Sequence, residues 1–223
     1  MNLSYPDYVI TPAKCKFVSL SHTEIRTRLI LKANLNIEYH NNLLFILMNP
    51  SKANRFFSDR TVNKLAHISY FDLRSLCIGS FSVVNVFPFC RSNSSELHDT
   101  LDETINVSKR FYYRQLTLNL REIYSSIDAA DYVFLGTGGI PANIQDKEEY
   151  DFMIKTIHSY VETLKGQALL GKGENNETFL KDGKYSYHLC PNGNPQTINR
   201  ARFFKLRAGK FVEESKIEYQ LFY

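Results

Sequence analysis

The sequence lacks the features of a zinc-binding, disulfide-rich or membrane-spanning protein. Its four cysteines, Cys15, Cys77, Cys90 and Cys190, show neither Cys-x-x-Cys spacing nor a tight cluster with histidine. Such spacing gives no zinc signature and no disulfide framework, so the reducing cytoplasm is the expected location. No stretch reaches the roughly 18 apolar residues of a membrane helix, and the first ten residues lack a basic region followed by an apolar run. We therefore expect neither export nor membrane anchoring.

The chain also lacks the common glycine-rich and hydrolase motifs. The stretch GTGGIP at 136–141 misses the third glycine of the dinucleotide fingerprint, and GKGENNET at 171–178 misses the Gly-Lys-Ser/Thr ending of a P-loop. Neither a Gly-x-Ser-x-Gly elbow nor a His-Glu-x-x-His pair occurs. These absences argue against nucleoside triphosphate binding and the common hydrolase motifs, and we expect no metal ion or cofactor.

Acidic residues are missing from one long stretch of the chain. The net charge is only +4, yet residues 183–212 contain six lysines and arginines and no Asp or Glu. That stretch alone carries +6, so the rest of the chain sums to about −2. One interpretation is a surface for an anionic partner, and the other is a solvated strand edge whose cations oppose aggregation. The charge pattern alone leaves both open.

What the sequence does contain is an alternation of short buried strands with helices. Apolar runs with too few residues for a helix occur at 43–47, 80–89, 131–139, 167–171 and 185–190. Helical spacing begins at Asp59, with Ser58 or Asp59 as the candidate N-cap, and it recurs with interruptions from about residue 95 to 127 and at 146–165. This pattern predicts an α/β protein, a three-layer α/β/α sandwich with a mostly parallel central sheet. A single domain over 1–223 is expected, with an N-terminal β-hairpin within 1–42 and the core in 43–223.

Polar amides follow several of these strands. Ligands of parallel sheets bind beyond the carboxyl ends of the strands. Here those ends read Asn49-Pro50-Ser51, Asn85 to Pro88, Gly136 to Gly139 and CPNGNPQTINR at 190–200. An asparagine side chain offers an acceptor and two donors in one plane, which complements a nucleobase edge and can hold a water molecule. Hydrolysis of an N-glycosidic bond needs little nucleophilic push when the departing base is stabilised, so an amide-lined site suits that chemistry.

LMNPS at 47–51, SVVNVFPF at 82–89, YVFLGTGG at 132–139 and GNPQTINR at 193–200 are four short motifs that together resemble the uracil-DNA glycosylase superfamily, most closely its mismatch-specific branch. LMNPS at 47–51 is similar to the first motif, where a buried strand ends in Gly-Ile-Asn-Pro, and GNPQTINR at 193–200 is similar to the second. SVVNVFPF at 82–89 lies where the superfamily has a strand ending in a base-reading asparagine, and YVFLGTGG at 132–139 resembles its Leu-Gly strand. The order Asn-Pro-Ser, Asp-x-Thr and Val-Val-Asn also looks like a bacterial and phage protein family. The resemblance spans residues 43–205.

The resemblance implies three catalytic residues. Asn49 would hold the attacking water, whereas a plain interpretation makes it a turn residue before proline. Asp59 would orient the water or a base amino group, although an Asp at this place is more often a helix cap. Asn194 would contact the deoxyribose phosphate or the developing sugar charge, against the alternative of a Gly-Asn-Pro turn.

Five further residues are predicted to bind the flipped base. Met48 and Pro50 would line the pocket beside Asn49. Phe56 or Phe57 would stack on the base, as an aromatic after the first motif does in the superfamily, and the alternative is a core pair at the helix start. Asn85 would read the base through a two-point amide contact, and the alternative is a strand-end amide that satisfies backbone groups.

The second motif and the basic stretch are predicted to bind DNA. Gln196 to Asn199 would fill the gap left by the base, and the cations that follow would contact phosphates. The predicted DNA contacts are Gln196, Thr197, Asn199, Arg200, Arg202 and Lys205. His188 is interpreted as a structural strand residue.

Together these expectations describe a monofunctional DNA base glycosylase without an obligate protein partner. Leu47 and Met48 stand where the superfamily has Gly-Ile before the asparagine, and no acid occupies the water-activating position. These departures imply either a weaker mechanism, like that of the mismatch-specific branch, or a changed substrate, and the resemblance suggests a hypermodified cytosine of phage DNA and a role in anti-phage defence. Two alternatives stay open: a hydrolase of free modified nucleotides, and a non-catalytic nucleic-acid-binding module.

Overall fold

The computed structural model describes residues 3–91, 97–140, 147–190 and 198–222. The strands of the main sheet are β1 (Val9–Ser19), β2 (Arg26–Leu35), β3 (Asn41–Leu47), β4 (Ile78–Asn85), β5 (Tyr132–Gly136), β6 (Gln167–Lys172), β9 (Arg200–Arg207) and β10 (Lys210–Gln220). Two short strands, β7 (Leu180–Lys181) and β8 (Tyr185–Ser186), form a separate pair. The helices are α1 (Arg60–His67), α2 (Leu97–Ala129) and α3 (Lys147–Leu164), and a π-helical turn (Ile68–Asp72) and a 3-10 turn (Arg74–Leu76) follow α1.

The main sheet has the order β1-β2-β4-β3-β5-β6-β9-β10. Its four central strands are parallel, and an antiparallel pair flanks them on each side. The α/β class and the N-terminal hairpin are confirmed. The expectation of a mostly parallel sheet holds only for the centre.

The prediction of a strand over residues 185–190 is wrong for most of its length. Only Tyr185–Ser186 is extended, and β9 takes the position beside β6 in the antiparallel direction. Parallel neighbours need a long crossover, usually a helix, and the described residues between β6 and β9 form no helix. After β9 the chain turns back at Ala208 and Gly209, whose φ angles of 49° and 71° suit a two-residue hairpin turn.

Each face of the sheet carries a hydrophobic core. Along β3, Leu44 and Ile46 pack with α2 and α3 on one face, while Leu43 and Phe45 pack with α1 on the other. All five residues of the run LLFIL are buried, as predicted for a strand that is covered on both sides. The central strands are therefore rigid supports for the residues at their ends.

The helices begin and end close to the predicted positions. Within α2, Ser108 has φ −159° and ψ 92°, so this helix is interrupted as expected. Helix α3 stops before Gly166, whose φ of 71° is the left-handed conformation that glycine adopts most easily. In the described stretches, no helix has the length and apolar character needed to cross a membrane.

A buried histidine on α3 predicts acid sensitivity. His158 is 6% exposed, packs edge-on against Phe211, and has an Nε2 atom with no hydrogen-bond partner among the described residues. Burial lowers its pKa to about 4. In the unfolded chain, the His158 imidazole takes up a proton near pH 6.5. The stability that the neutral, buried His158 contributes is therefore fully present above that pH and is lost as the pH falls toward 4.

We therefore expect His158→Phe to reduce the acid dependence of stability. Between pH 7 and pH 5, the wild type should lose about 2 kcal/mol of unfolding free energy through His158, and the variant should not. Urea unfolding at the two pH values measures the difference, with the exposed His40→Gln as the matched control. Equal acid losses in the wild type and His158→Phe would contradict the prediction.

Candidate functional site

Three of the four central strands, β4, β3 and β5, end side by side. Leu47 at the end of β3 pairs with Asn85 of β4 on one side and with Gly136 of β5 on the other. The pairing continues past the strands, because the Phe87 amide donates to the Met48 carbonyl at 3.0 Å. The register thus confirms that the amide-bearing strand ends share one edge of the sheet.

Asn49 lies on this edge and is partly exposed. Its Nδ2 donates to the Arg91 carbonyl at 2.9 Å, and the Arg91 amide donates to the Pro50 carbonyl at 2.9 Å. These two bonds tie the Asn-Pro turn to the segment that follows β4. The described hydrogen bonds of Asn49 use only its donor nitrogen, so Oδ1 can accept a bond from water.

Met48 and Pro50 are buried on either side of Asn49. Met48 is 3% exposed and belongs to the core shared with α2 and α3. Pro50 is buried as well. Contact of either side chain with a base stays a prediction.

Asp59 is the N-cap of α1, which confirms the capping interpretation. Its Oδ1 accepts from the Val62 amide at 2.9 Å, and its Oδ2 accepts a hydrogen bond from the Ser51 hydroxyl. One carboxylate therefore starts the helix and holds the Asn-Pro-Ser turn. Because both oxygens already accept bonds, Asp59 is better placed to position the turn than to act on water.

The phenylalanine pair lies on the surface. Phe56 and Phe57 are 60% and 48% exposed, so the alternative of a core pair is wrong. Both of their amides donate to Oδ1 of Asn54, at 2.9 and 3.1 Å, and the Arg55 guanidinium lies 4.9 Å from the Phe56 ring centre. This tight loop holds two exposed rings that are available for stacking.

Arg28 on β2 was not among the residues predicted for the site. It is 1% exposed, and its guanidinium donates to the Ala53 carbonyl at 3.1 Å and to Oδ1 of Asn85 at 3.5 Å. Asn85 itself is fully buried, and Asn119 of α2 donates to its backbone carbonyl at 2.8 Å. Asn85 is thus a strand-end amide next to a buried cation. A buried arginine within an apolar strand pattern is the signal that was overlooked.

His188 lies beside the end of β5 and outside any strand, so its interpretation as a strand residue is wrong. Its Nδ1 accepts from the Cys190 amide at 3.1 Å. A Cβ on Gly138 would lie 3.2 Å from the His188 Cβ, and Gly138 has a φ of 76°, so glycine is required there. Burial lowers the pKa of His188 to about 4, which keeps the imidazole neutral at pH 7.

Lys64 ties α1 to the second motif and to the residues that precede it. Its side chain is fully buried, and Nζ donates to the Leu189 carbonyl at 3.1 Å and to the Ile198 carbonyl at 3.3 Å. In the sequence, these two carbonyls lie before and after residues 191–197. Burial lowers the pKa of Lys64, and its hydrogen bonds offset part of the desolvation cost. Asn194, Gln196 and Thr197 lie outside the described residues.

The basic stretch forms ion pairs with the chain itself. Arg202 contacts Glu213 and Glu218, Arg200 lies 3.6 Å from Glu218, and Lys205 contacts Glu214. These glutamates belong to β10, the hairpin partner of β9. Asn199 is held by backbone bonds to Lys172 and Leu221. Phosphate contacts by these residues stay a prediction, and they would compete with the glutamates.

The structure defines a mixed α/β protein with a polar site at the carboxyl edge of its parallel strands. In its described stretches, no group of three or more His, Cys, Asp or Glu side chains could hold a metal ion. Residues 28–177 match the model of a family described as protein of unknown function (DUF1643), and the chain belongs to that family. The match contains Arg28, Asn49, Asp59 and Asn85, and it ends before the second motif. No curated protein and no solved structure matches the chain.

Proposed function

We propose that this protein is a monofunctional DNA base glycosylase of the uracil-DNA glycosylase type, with the corresponding α/β/α sandwich. The observation that carries the proposal is the shared sheet edge of Asn49 and Asn85, in which the Asn49 turn is fixed from two sides. A water-positioning amide and a base-reading amide on neighbouring strands suit hydrolysis of a flipped nucleotide. The reaction would take place in the cytoplasm and would need no metal ion or cofactor.

The proposed reaction hydrolyses the bond between the base and C1′ of the deoxyribose. The electron pair of that bond leaves with the base, and a water oxygen bonds to C1′. The water gives up one proton, the base takes up one, and an abasic site remains. Asn49 Oδ1 would hold the water, Asn194 would act on the sugar side, and Asp59 would keep the turn in place. Positioning and electrostatics would supply most of the rate enhancement.

We propose a modified base, such as a hypermodified cytosine of phage DNA, as the substrate, and anti-phage defence as the role. Phe56 and Phe57 support a stacking contact, because their rings are exposed on the loop that follows Asn49. The Tyr5 hydroxyl anchors this loop, because it donates to the Asn54 carbonyl at 2.7 Å. An exposed ring on a rigid loop can stack on an extruded base with little loss of conformational entropy.

The ion pairs of β9 favour a second candidate, a hydrolase of free modified nucleotides. Arg200, Arg202 and Lys205 all contact glutamates of β10, which leaves less positive charge for a DNA backbone. Such an enzyme would use the same amides to act on a single free nucleotide instead of a nucleotide within a DNA strand. It would show little affinity for DNA.

One assay tests the proposal and separates the two candidates. Purified protein is incubated with oligonucleotides that carry uracil, thymine mismatches or phage-type modified cytosines, and with the matching free nucleotides. We expect alkali-labile abasic sites in at least one modified oligonucleotide, and DNA binding that weakens steeply between 50 and 200 mM salt, on the order of tenfold or more. Release of base from free nucleotides alone would replace the proposal with the second candidate. No base release from any substrate would refute both.

A further inference from the structure

The outward face of helix α2 carries cations without acids. Residues 104–121 contain no Asp or Glu, and their cations are Lys109, Arg110, Arg114 and Arg121. All of these side chains are exposed, and none forms an ion pair with another described residue. The next acid along the helix, Glu122, is already paired with Lys16 of β1 at 3.0 Å. Among the described side chains, this face therefore has a positive charge that nothing neutralises.

Three of these cations lie along one stripe of α2, beyond the interruption of this helix. The stripe consists of Arg110, Arg114, Thr117, Arg121 and Tyr124, whose 4-3-4-3 spacing places them on one face, and all five are exposed. The first two arginines are like charges at i and i+4, an arrangement that weakens an isolated helix. A surface that keeps this repulsion suits an anionic partner better than it suits solvent alone.

A groove between α2 and α3 opens beside the stripe. It has a volume of about 520 Å³ and is lined by Thr117, Leu120, Arg121, Tyr124 and Tyr160. This volume is within the range of ligand pockets. The two tyrosine rings meet edge to face, with centres 5.1 Å apart and an angle of 89° between their planes. Residues 152–161 of α3 contain no Asp or Glu either, so the arginine stripe borders a groove with apolar walls and a basic surround.

The charge and the groove together define the kind of partner. We propose that this face of α2 binds an acidic amphipathic helix of another protein, which places an apolar side chain in the groove and carboxylates against Arg110, Arg114 and Arg121. A helix repeats its side chains every three and four residues, which matches the spacing of the stripe. Guanidinium groups bind carboxylates through paired hydrogen bonds. The stripe is about 21 Å long, so about 14 residues of partner helix cover it.

The groove favours a helix over a nucleic acid. In the edge-to-face contact, the edge of one tyrosine ring covers the face of the other, so a base cannot stack between Tyr124 and Tyr160. Single strands bind best where aromatic faces are open for stacking beside a groove lined with cations. Here Arg121 is the one cation that lines the groove, and Leu120 supplies an aliphatic wall. An apolar side chain of a protein fits these walls better than a base does.

This face lies toward the opposite edge of the sheet from Asn49. The Asp131 amide, just after α2, donates to the Asn42 carbonyl at 3.0 Å, so α2 ends beside the start of β3. Tyr124 lies roughly one and a half turns before that end, whereas Asn49 follows the end of β3. A partner on α2 therefore leaves the site of the proposed reaction open. The inference goes beyond the proposed function and does not rest on it.

The test combines two changes to this face with an array of peptides. Arg114→Glu with Arg121→Glu reverses the charge of the stripe, and Thr117→Trp fills the groove at an exposed position. Arg74→Glu with Lys216→Glu, both exposed and outside α2, is the matched control for the change in net charge. The probes are synthetic acidic amphipathic peptides of about 14 residues, each with one Phe or Leu on the apolar side. Each is paired with a version that carries Gln for Glu and a version that carries Ala for Phe or Leu.

We expect acidic peptides of the array to bind the wild type, with an affinity that falls as salt rises from about 50 to 200 mM. The charge reversal and Thr117→Trp should each weaken that binding about tenfold or more, and the control pair should weaken it less than about twofold. The Gln and Ala versions of a binding peptide should lose affinity to a similar extent. Base excision by the charge-reversed protein should equal that of the wild type, and thermal unfolding checks that each variant is folded.

Four outcomes would overturn the inference. The first is an array without a binding peptide, and the second is equal binding by the wild type and the charge-reversed protein. The third is a single-stranded oligonucleotide that binds more tightly than every peptide and is lost in the same variants, which would assign this face to nucleic acid. The fourth is self-association in analytical ultracentrifugation that both changes abolish, which would assign it to a second copy of the chain. None of these outcomes affects the proposed function, which is tested by base release.

Discussion

Replacing Asn49 with alanine is expected to lower the rate of base excision by about 10²–10⁴-fold. The change removes Oδ1, the acceptor proposed to hold the water, and leaves the exposed phenylalanine pair and the Asn85 amide in place. It also removes the hydrogen bond from Nδ2 to the Arg91 carbonyl, which should cost only about 1 kcal/mol of unfolding free energy. Activity should therefore fall far more than stability.

Single-turnover excision and urea unfolding measure the two effects separately. Asn36→Ala, at an exposed asparagine after β2, is the control for a general effect of removing an amide. Asn49→Asp is a second variant, because it keeps an oxygen that can accept a bond from water. We expect it to retain more activity than Asn49→Ala. Unchanged excision by Asn49→Ala would remove this residue from the reaction.

The edge of the sheet could be predicted from sequence because its strands are short and fully apolar. A run such as Leu43–Leu47 fits only a strand covered on both sides, and the ends of parallel neighbours fall on the same edge. The structure adds the strand order and the register, in which Leu47 pairs with Asn85 and with Gly136. The cap at Asp59 was also visible, since an acid before an apolar helical stripe is a common helix start.

The direction of β9 and the ion pairs of the basic stretch could not be predicted in the same way. Residues 183–212 contain no acid, but their partners Glu213, Glu214 and Glu218 lie just beyond that window and return through a hairpin. Net charge over a window reports nothing about strand pairing. Arg200, Arg202 and Lys205 lie on β9, which pairs with β6 on one side and with β10 on the other, so the interpretation as a strand edge does not hold for them.

The structural roles of three residues could not be predicted from the sequence, for a common reason. These residues are Arg28, His188 and Lys64. Each is a polar residue whose role depends on contacts far away in sequence: Arg28 with Asn85, His188 beside Gly138, and Lys64 with Leu189 and Ile198. Local periodicity marks such residues as exceptions or as surface positions. Only the packed structure shows that they surround one edge of the sheet.

Replacing Lys64 with methionine is expected to have the second large effect, because this residue ties α1 to the second motif and to the residues that precede it, at Ile198 and Leu189. Its ammonium donates to carbonyls on both sides of residues 191–197, the segment that holds Asn194. Methionine fills a similar volume but leaves those buried carbonyls without a donor. Each unsatisfied carbonyl costs about 1–3 kcal/mol, so for two carbonyls we expect a loss of about 2–6 kcal/mol in unfolding free energy.

The activity of Lys64→Met should fall further than its stability implies, because the ends of the second motif lose their anchor to α1. A displacement of about 1 Å at a reacting group can cost on the order of 10²-fold in rate. Lys155→Met, at an exposed position of α3, controls for the removal of a helical lysine and should leave both measurements nearly unchanged. Excision is measured at a temperature and urea concentration where Lys64→Met is fully folded. Wild-type activity under those conditions would show that α1 and the second motif are held together without this ammonium.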